Sequence, residues 1–225
     1  MTRQIPLDLP TKESFSRSDF VITPANELAL DMIENSDRWP AGRMLLIGPR
    51  GAGKSHLAQI WATATGARIQ PAEAIAGADL ESLARGGAVA VENAETVAGH
   101  PGAEAAMFHL CNMLGQGGRL LITAILPPRD WGLQLPDLLS RLQSGGLMRL
   151  SPPDDALLQK VLIKLFSDRQ IIPSAGLIPY ILARMPRSIG AARAIITEMD
   201  RRAMAEQRPL GPKLAAEVLN SLAQE

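Results

Sequence analysis

A chain of 225 residues with 23 basic and 23 acidic side chains has no bulk electrostatic attraction to nucleic acid or anionic lipid. Its hydrophobic fraction of 46% and charged fraction of 20% fit a globular protein able to bury a sizeable core, as one large domain or a medium domain with a small appendage. The single Cys111 and three scattered histidines exclude a disulfide framework and a metal-ligand cluster, and the lack of a leader-like start or an apolar run of membrane-spanning length predicts a cytoplasmic protein with no membrane partner.

Residues 1–12, MTRQIPLDLPTK, carry two prolines and no helical period, which predicts an extended, mobile tail. Gln4, Leu7 and Leu9 stand at Q-x-x-L-x-L spacing. Alternate residues of an extended peptide point the same way, so the two leucines could enter neighbouring pockets of a groove. An ordinary tail with two leucines is the other reading, and spacing alone favours it.

A short helix is predicted around Leu28, Ala29, Met32 and Ile33, followed by the loop Trp39–Gly42. The apolar run Met44–Ile47 then reads as a buried strand and leads into Gly48-Pro49-Arg50-Gly51-Ala52-Gly53-Lys54-Ser55. This matches G-x-x-x-x-G-K-[ST] at every fixed position, and an amphipathic helix follows through Leu57, Ala58, Ile60 and Trp61. Glycines at 48, 51 and 53 let backbone N–H groups approach phosphate oxygens, and the helix N-terminus adds positive dipole. Lys54 supplies a mobile cation for the β- and γ-phosphates, and the Ser55 hydroxyl is a ligand for Mg²⁺. The expected ligand is a nucleoside di- or triphosphate, ADP or ATP.

Residues 66–87 hold a short strand and a weak helix closed by Gly86-Gly87. Ala88–Val91 is a second buried strand, ending in Glu92-Asn93. In phosphate-loop ATPases the acid that ends this strand sits beside the Mg²⁺, so Glu92 joins Ser55 as an expected metal ligand. Asn93 stands where a second acid usually orients the attacking water. An amide holds a water but cannot take its proton, so hydrolysis within this chain is expected to be slow or absent. A merely solvated strand-end Glu is the plain alternative.

An amphipathic helix spans 103–114, a third buried strand 119–124 and a short helix 138–142 that carries Arg141. A final strand covers 147–150. Strands alternating with helices predict a doubly wound parallel sheet over residues 13–150, with ligand at the strands' carboxyl ends. From Ser151 onward the sequence is purely helical. Ser151-Pro152-Pro153-Asp154 reads as a capped helix start, with further helices over 174–184, 188–202 and 213–222. Residues 151–225 are therefore expected to form a small all-helical lid.

This order of parts resembles an AAA+ ATPase, and within that superfamily the DnaA replication-initiator clade. FSRSDFVITPANELAL (Phe15 to Leu30) resembles the segment that leads into DnaA-type ATPase domains and packs around adenine, which implies nucleotide contacts for Phe20 and Val21. With them go the loop residues Ala52 and His56. LLITAILPPRDWGLQLPDLLSRL (Leu120 to Leu142) is similar to the block from sensor 1 to the arginine-finger helix and puts Arg141 at the finger, acting in trans. MPRSIGAARAII (Met185 to Ile196) resembles the lid-helix start whose arginine, here Arg187, reaches the nucleotide as sensor 2.

DnaA continues past its lid into a basic helix-turn-helix domain, whereas this chain ends at Glu225, and the tail RQIPLDL resembles a sliding-clamp-binding motif. Both features are those of the Hda branch of the clade. The resemblance implies docking on the DNA polymerase III sliding clamp, promotion of hydrolysis of DnaA-bound ATP, and contact with DNA only indirectly; self-association stays open. It reverses the balance on the tail in favour of clamp binding. Two departures stand out: Ile125 replaces an acid of the clade, and Glu92-Asn93 replaces an Asp-led pair. Nothing is carried over for residues 66–87. The alternative is an AAA+ enzyme that hydrolyses its own ATP, such as a helicase loader or a shortened initiator. A phosphate-loop kinase would leave LPDLLSRL and the helical lid without a role.

Overall fold

The structure is a computed structural model and describes residues 16–115 and 117–222. The tail with Gln4, Leu7 and Leu9 lies outside the described residues. The rest divides between Pro152 and Pro153, two residues beyond the expected boundary.

The first unit is a five-stranded parallel sheet in the order β2-β3-β4-β1-β5. Its strands are β1 (Arg43–Ile47), β2 (Arg68–Pro71), β3 (Ala88–Glu92), β4 (Arg119–Ala124) and β5 (Gly146–Arg149). Between them run α1 (Glu27–Glu34) ahead of β1, then α2 (Lys54–Thr65), α3 (Leu80–Ala84), α4 (Pro101–Leu114) and α5 (Pro136–Gln143). Neighbouring strand residues point to opposite faces. Leu45, Val89, Val91, Leu120 and Ile122 therefore pack with α4 and α5, while Met44, Leu46, Ala88, Ala90 and Leu121 pack with α1 and α2. A sheet covered on both faces needs continuous apolar strands, and β1 is buried along its whole length.

Parallel pairing puts every strand's carboxyl end on one edge of the sheet. Leu46 lies opposite Thr123, and Ile47 opposite both Ala124 and Arg149. Strand β1 is thus held between β4 and β5, and the loop that follows it emerges between their ends.

The second unit contains α6 (Asp155–Asp168), α7 (Leu177–Leu182), α8 (Ile189–Glu206) and α9 (Pro212–Leu222). Its core includes Leu158, Phe166, Ile181, Ile196 and Val218. Two helix starts differ from expectation. Asp154, not Ser151, caps α6: its side chain accepts from the Leu157 N–H at 2.7 Å. Prolines at 152 and 153 hold the residues before them extended and move the start downstream. Helix α7 begins at Leu177 rather than Ser174, because Gly176 takes a left-handed conformation at φ 83°. Among the described residues, no helix is long and apolar enough to cross a membrane.

Glu198 on α8 accepts from Arg201 Nε and Nη2, both at 2.7 Å, and from Arg202 Nε at 2.6 Å. These bonds, Arg201's first, pull its carboxyl from 4.5 down to about 2. A depressed folded-state pKa stabilises the fold above the unfolded value and loses that contribution as pH falls through the folded one. An NMR titration of Glu198 Cδ in the intact chain is expected to show a midpoint near pH 2, and a midpoint near 4.5 would show that the bridge is not formed.

Candidate nucleotide-binding site

The loop after β1 has the backbone of an anion cradle. Gly51 and Gly53 are left-handed at φ 77° and 98°, and Gly53 caps α2 without using a side chain. Gly48 is required at its position: at φ 152°, a Cβ there would lie 2.3 Å from the Leu150 carbonyl oxygen. Its N–H donates to the Ala124 oxygen at 3.1 Å, so the loop leaves the sheet as an extension of the β1–β4 ladder. The first N–H groups of α2 then open toward the loop without internal partners, as a phosphate site requires.

Lys54 is only 7% exposed. Its ammonium donates to the Gly48 and Pro49 carbonyl oxygens at 2.7 and 2.9 Å, which holds the loop in shape. Burial lowers its pKa; Glu95 opposes that shift, Arg50 adds to it and Glu92 opposes it. Ser55, by contrast, is exposed at the start of α2.

Glu92 ends β3, and one of its carboxylate oxygens is buried without a hydrogen-bond partner. Asn93 adopts the left-handed conformation at φ 55° and turns the chain into a short 3-10 helix over Ala94–Val97. That turn brings back Glu95, which the sequence reading passed over. Glu95 also carries a buried oxygen without a partner, and its charge acts on Lys54. Two orphaned carboxylate oxygens beside a phosphate loop fit a hydrated divalent cation, and Ser55 and Glu92 are the residues that would hold it. The pattern could have been found in Glu-Asn-Ala-Glu, where a tight turn after the strand returns the second acid to the same edge. The Asn93 N–H donates to the Thr123 hydroxyl at 3.2 Å, tying the ends of β3 and β4 together.

The leading segment meets α2 through two rings. Phe20 packs edge-on to His56, with centroids 5.2 Å apart and planes at 87°. The His56 Nε2 lies 3.1 Å from the Ser16 carbonyl oxygen. Asn26, another residue not singled out from sequence, holds the intervening strand of chain: its Oδ1 accepts from the Thr23 N–H and its Nδ2 donates to the Val21 carbonyl, each at 2.9 Å. Phe20 and His56 therefore meet at the first turn of α2, with Val21 next to Phe20 in the chain. This is the same turn that receives the phosphate loop.

Arg141 lies on the exposed side of α5 and makes no ion pair among the described residues, while Leu138 and Leu142 anchor the helix inward. Cys111 beneath it is buried, which pushes its thiol up to about 11; Arg43 and Arg141 oppose that shift only in part. It is therefore inert. Arg187 belongs to the helical unit, where its guanidinium pairs with Asp155 in the first turn of α6.

No protein-family model matches the chain. Solved structures do. Domain III of the Thermotoga maritima replication initiation protein DnaA superposes with a TM-score of 0.77 at 17% identity, covering 94% of this chain and 98% of that one. AMPPCP-bound DnaA from Aquifex aeolicus gives 0.69 at 18% identity, over 85% of this chain and 66% of the other. The Thermotoga maritima RuvB Holliday junction branch migration motor gives 0.66 at 16%, over 93% and 72%. The chain thus has the fold of DnaA domain III, an α/β parallel-sheet domain followed by a helical unit.

Proposed function

We propose that this chain is a regulator of DNA replication initiation of the Hda type. It binds ADP or ATP, docks on the DNA polymerase III sliding clamp through Gln4, Leu7 and Leu9, and promotes hydrolysis of DnaA-bound ATP. The observation that carries this reading is how the parts of a hydrolytic site are distributed. Asn93 stands at the turn where a proton-accepting acid is expected, while Arg141 faces solvent on a helix buried along its other side. A chain built this way is poorly equipped to turn over its own nucleotide and well equipped to lend an arginine to another.

In the proposed complex, the loop Gly48–Ser55 holds the phosphates, with Lys54 moving from the loop carbonyls to the β- and γ-oxygens. Phe20, Val21 and His56 face the base, and Arg187 is the proposed sensor-2 arginine. Bound Mg²⁺ would neutralise phosphate charge. The nucleotide then serves as a structural ligand that fixes the conformation in which Arg141 is presented. Charge on the partner's transferring phosphoryl group is met by the Arg141 guanidinium, whose planar fork matches two oxygens at once. Clamp docking supplies proximity: a short two-leucine peptide binds alone only at about micromolar strength, roughly −8 kcal/mol, and becomes effective when clamp and DnaA share one DNA.

A second reading has one observation in its favour. Glu95 brings a buried, unpartnered carboxylate oxygen to the site and could take the proton that Asn93 cannot, as in a self-hydrolysing AAA+ ATPase such as a helicase loader or shortened initiator. Basal ATPase activity separates the two, and under this second reading Glu95→Gln abolishes it.

Three outcomes are expected. Lys54→Ala removes a charge-assisted contact of about 1.5–3 kcal/mol and should weaken ADP binding by about 10- to 100-fold, read by titration with labelled ADP. Replacing Gln4, Leu7 and Leu9 by Ala should abolish retention on immobilised clamp while the thermal midpoint stays that of the wild type. Arg141→Ala should bind nucleotide and clamp normally yet lose stimulation of DnaA-bound ATP hydrolysis, where a finger in trans is worth about 10³–10⁵ in rate. Arg141→Lys should fail too, and wild-type stimulation by either variant would overturn the finger assignment.

A further inference from the structure

Helix α5 has eight residues, two turns, which is too short to persist by backbone hydrogen bonding alone. Leu138 and Leu142 bury one side of it. Two apolar anchors one turn apart leave it free to rock and slide. What restrains it lies at its ends, and both restraints are buried charges.

Glu104 in α4 is 1% exposed. Its Oε2 accepts from the Leu135 N–H at 2.8 Å and from the Gln134 N–H at 3.0 Å. Its Oε1 accepts from Gln134 again at 3.2 Å and from the Gly99 N–H at 3.0 Å. Leu135 is the N-cap of α5, and Pro136 after it has no N–H to offer. A carboxylate from a neighbouring helix thus holds the N–H groups of the N-cap and of the residue before it, with negative charge at the positive end of the α5 dipole.

Arg43 opens β1 and is 3% exposed. Its Nη1 donates to the Arg141 carbonyl at 3.3 Å and to the Ser144 hydroxyl at 3.0 Å, and its Nη2 donates to the Cys111 carbonyl at 2.9 Å. One guanidinium therefore bonds the last turns of both α4 and α5 and places positive charge at the negative end of α5. The fit is close: a Cβ on Gly145 would lie 2.9 Å from the Arg43 Cβ, and one on Gly115 3.2 Å from its Nη2. The residue whose carbonyl Arg43 holds is Arg141 itself.

Burying a carboxylate and a guanidinium that do not pair with each other is costly and is rarely the most stabilising use of core positions. Here each charge is spent on backbone groups at opposite ends of one short helix. We propose that Glu104 and Arg43 are positioning residues for Arg141. They clamp α5 end to end against α4 and β1, the strand of the phosphate loop, so that the finger is delivered at a fixed point of the surface. The proposal rests on the finger reading of Arg141 given above. Neither residue touches the partner; each acts through the backbone of α5.

Glu104→Gln tests it, because the amide keeps the volume but turns an N–H donor toward the N–H groups it should receive. The intact chain is compared as wild type, Glu104→Gln, Arg141→Ala and the double variant, in stimulating hydrolysis of ATP bound to DnaA with clamp loaded on DNA. For Glu104→Gln we expect a maximum rate lower by about 10- to 100-fold, since a misplacement of about 1 Å costs on that order. The half-saturating concentration and ADP affinity should stay unchanged, with faster hydrogen exchange at Gln134 and Leu135. The double variant should be no slower than Arg141→Ala alone. A wild-type maximum rate in folded Glu104→Gln, or a loss that compounds with Arg141→Ala, overturns the proposal. Should Glu104→Gln fail to fold, Arg43→Lys, which keeps the charge but cannot reach both helices, is read the same way. If Arg141→Ala stimulates fully, the finger reading itself has failed, and the positioning role falls with it for that separate reason.

Discussion

The site at the edge of the sheet depends on a close approach between two backbones, where Gly48 leaves β1 and passes the Leu150 carbonyl at a distance that admits no Cβ. Strand β1 lies between β4 and β5, so the turn that follows it must squeeze past the chain leaving β5. That passage sets the direction in which the phosphate loop opens, and with it the start of α2. Phe20 and His56 are arranged on the same helix turn, so the leading segment inherits its position from the same contact. A side chain at residue 48 would displace all of these together.

Charge is buried in this domain only where it organises backbone. Lys54 holds the loop carbonyls, Arg43 the ends of α4 and α5, and Glu104 the entry to α5. Each would be expensive without hydrogen-bonding partners, and each has several, although the Arg43 Nε itself has none. One buried oxygen each of Glu92 and Glu95 stays unpartnered, and the charges of both residues act on Lys54.

Much of this was legible in the residues themselves. Continuous apolar strands separated by helical periods require a parallel sheet covered on both faces, and the strand–glycine loop–helix succession places an anion site at its edge, because both patterns are local consequences of side-chain spacing. The tertiary structure decided what depends on residues distant in the chain. Glu95 became part of the site only when Asn93 turned the backbone after β3, and Asn26 only when its side chain reached back to Val21 and Thr23. Glu104 lies 31 residues from the Leu135 N–H it accepts, and Arg43 lies 98 from the Arg141 carbonyl it holds. No periodicity records such contacts. In the sequence Arg43 is the polar start of an apolar strand and Glu104 an acid in the first turn of a helix, and only the packing of α4 against α5 and β1 gives either charge its acceptors or donors.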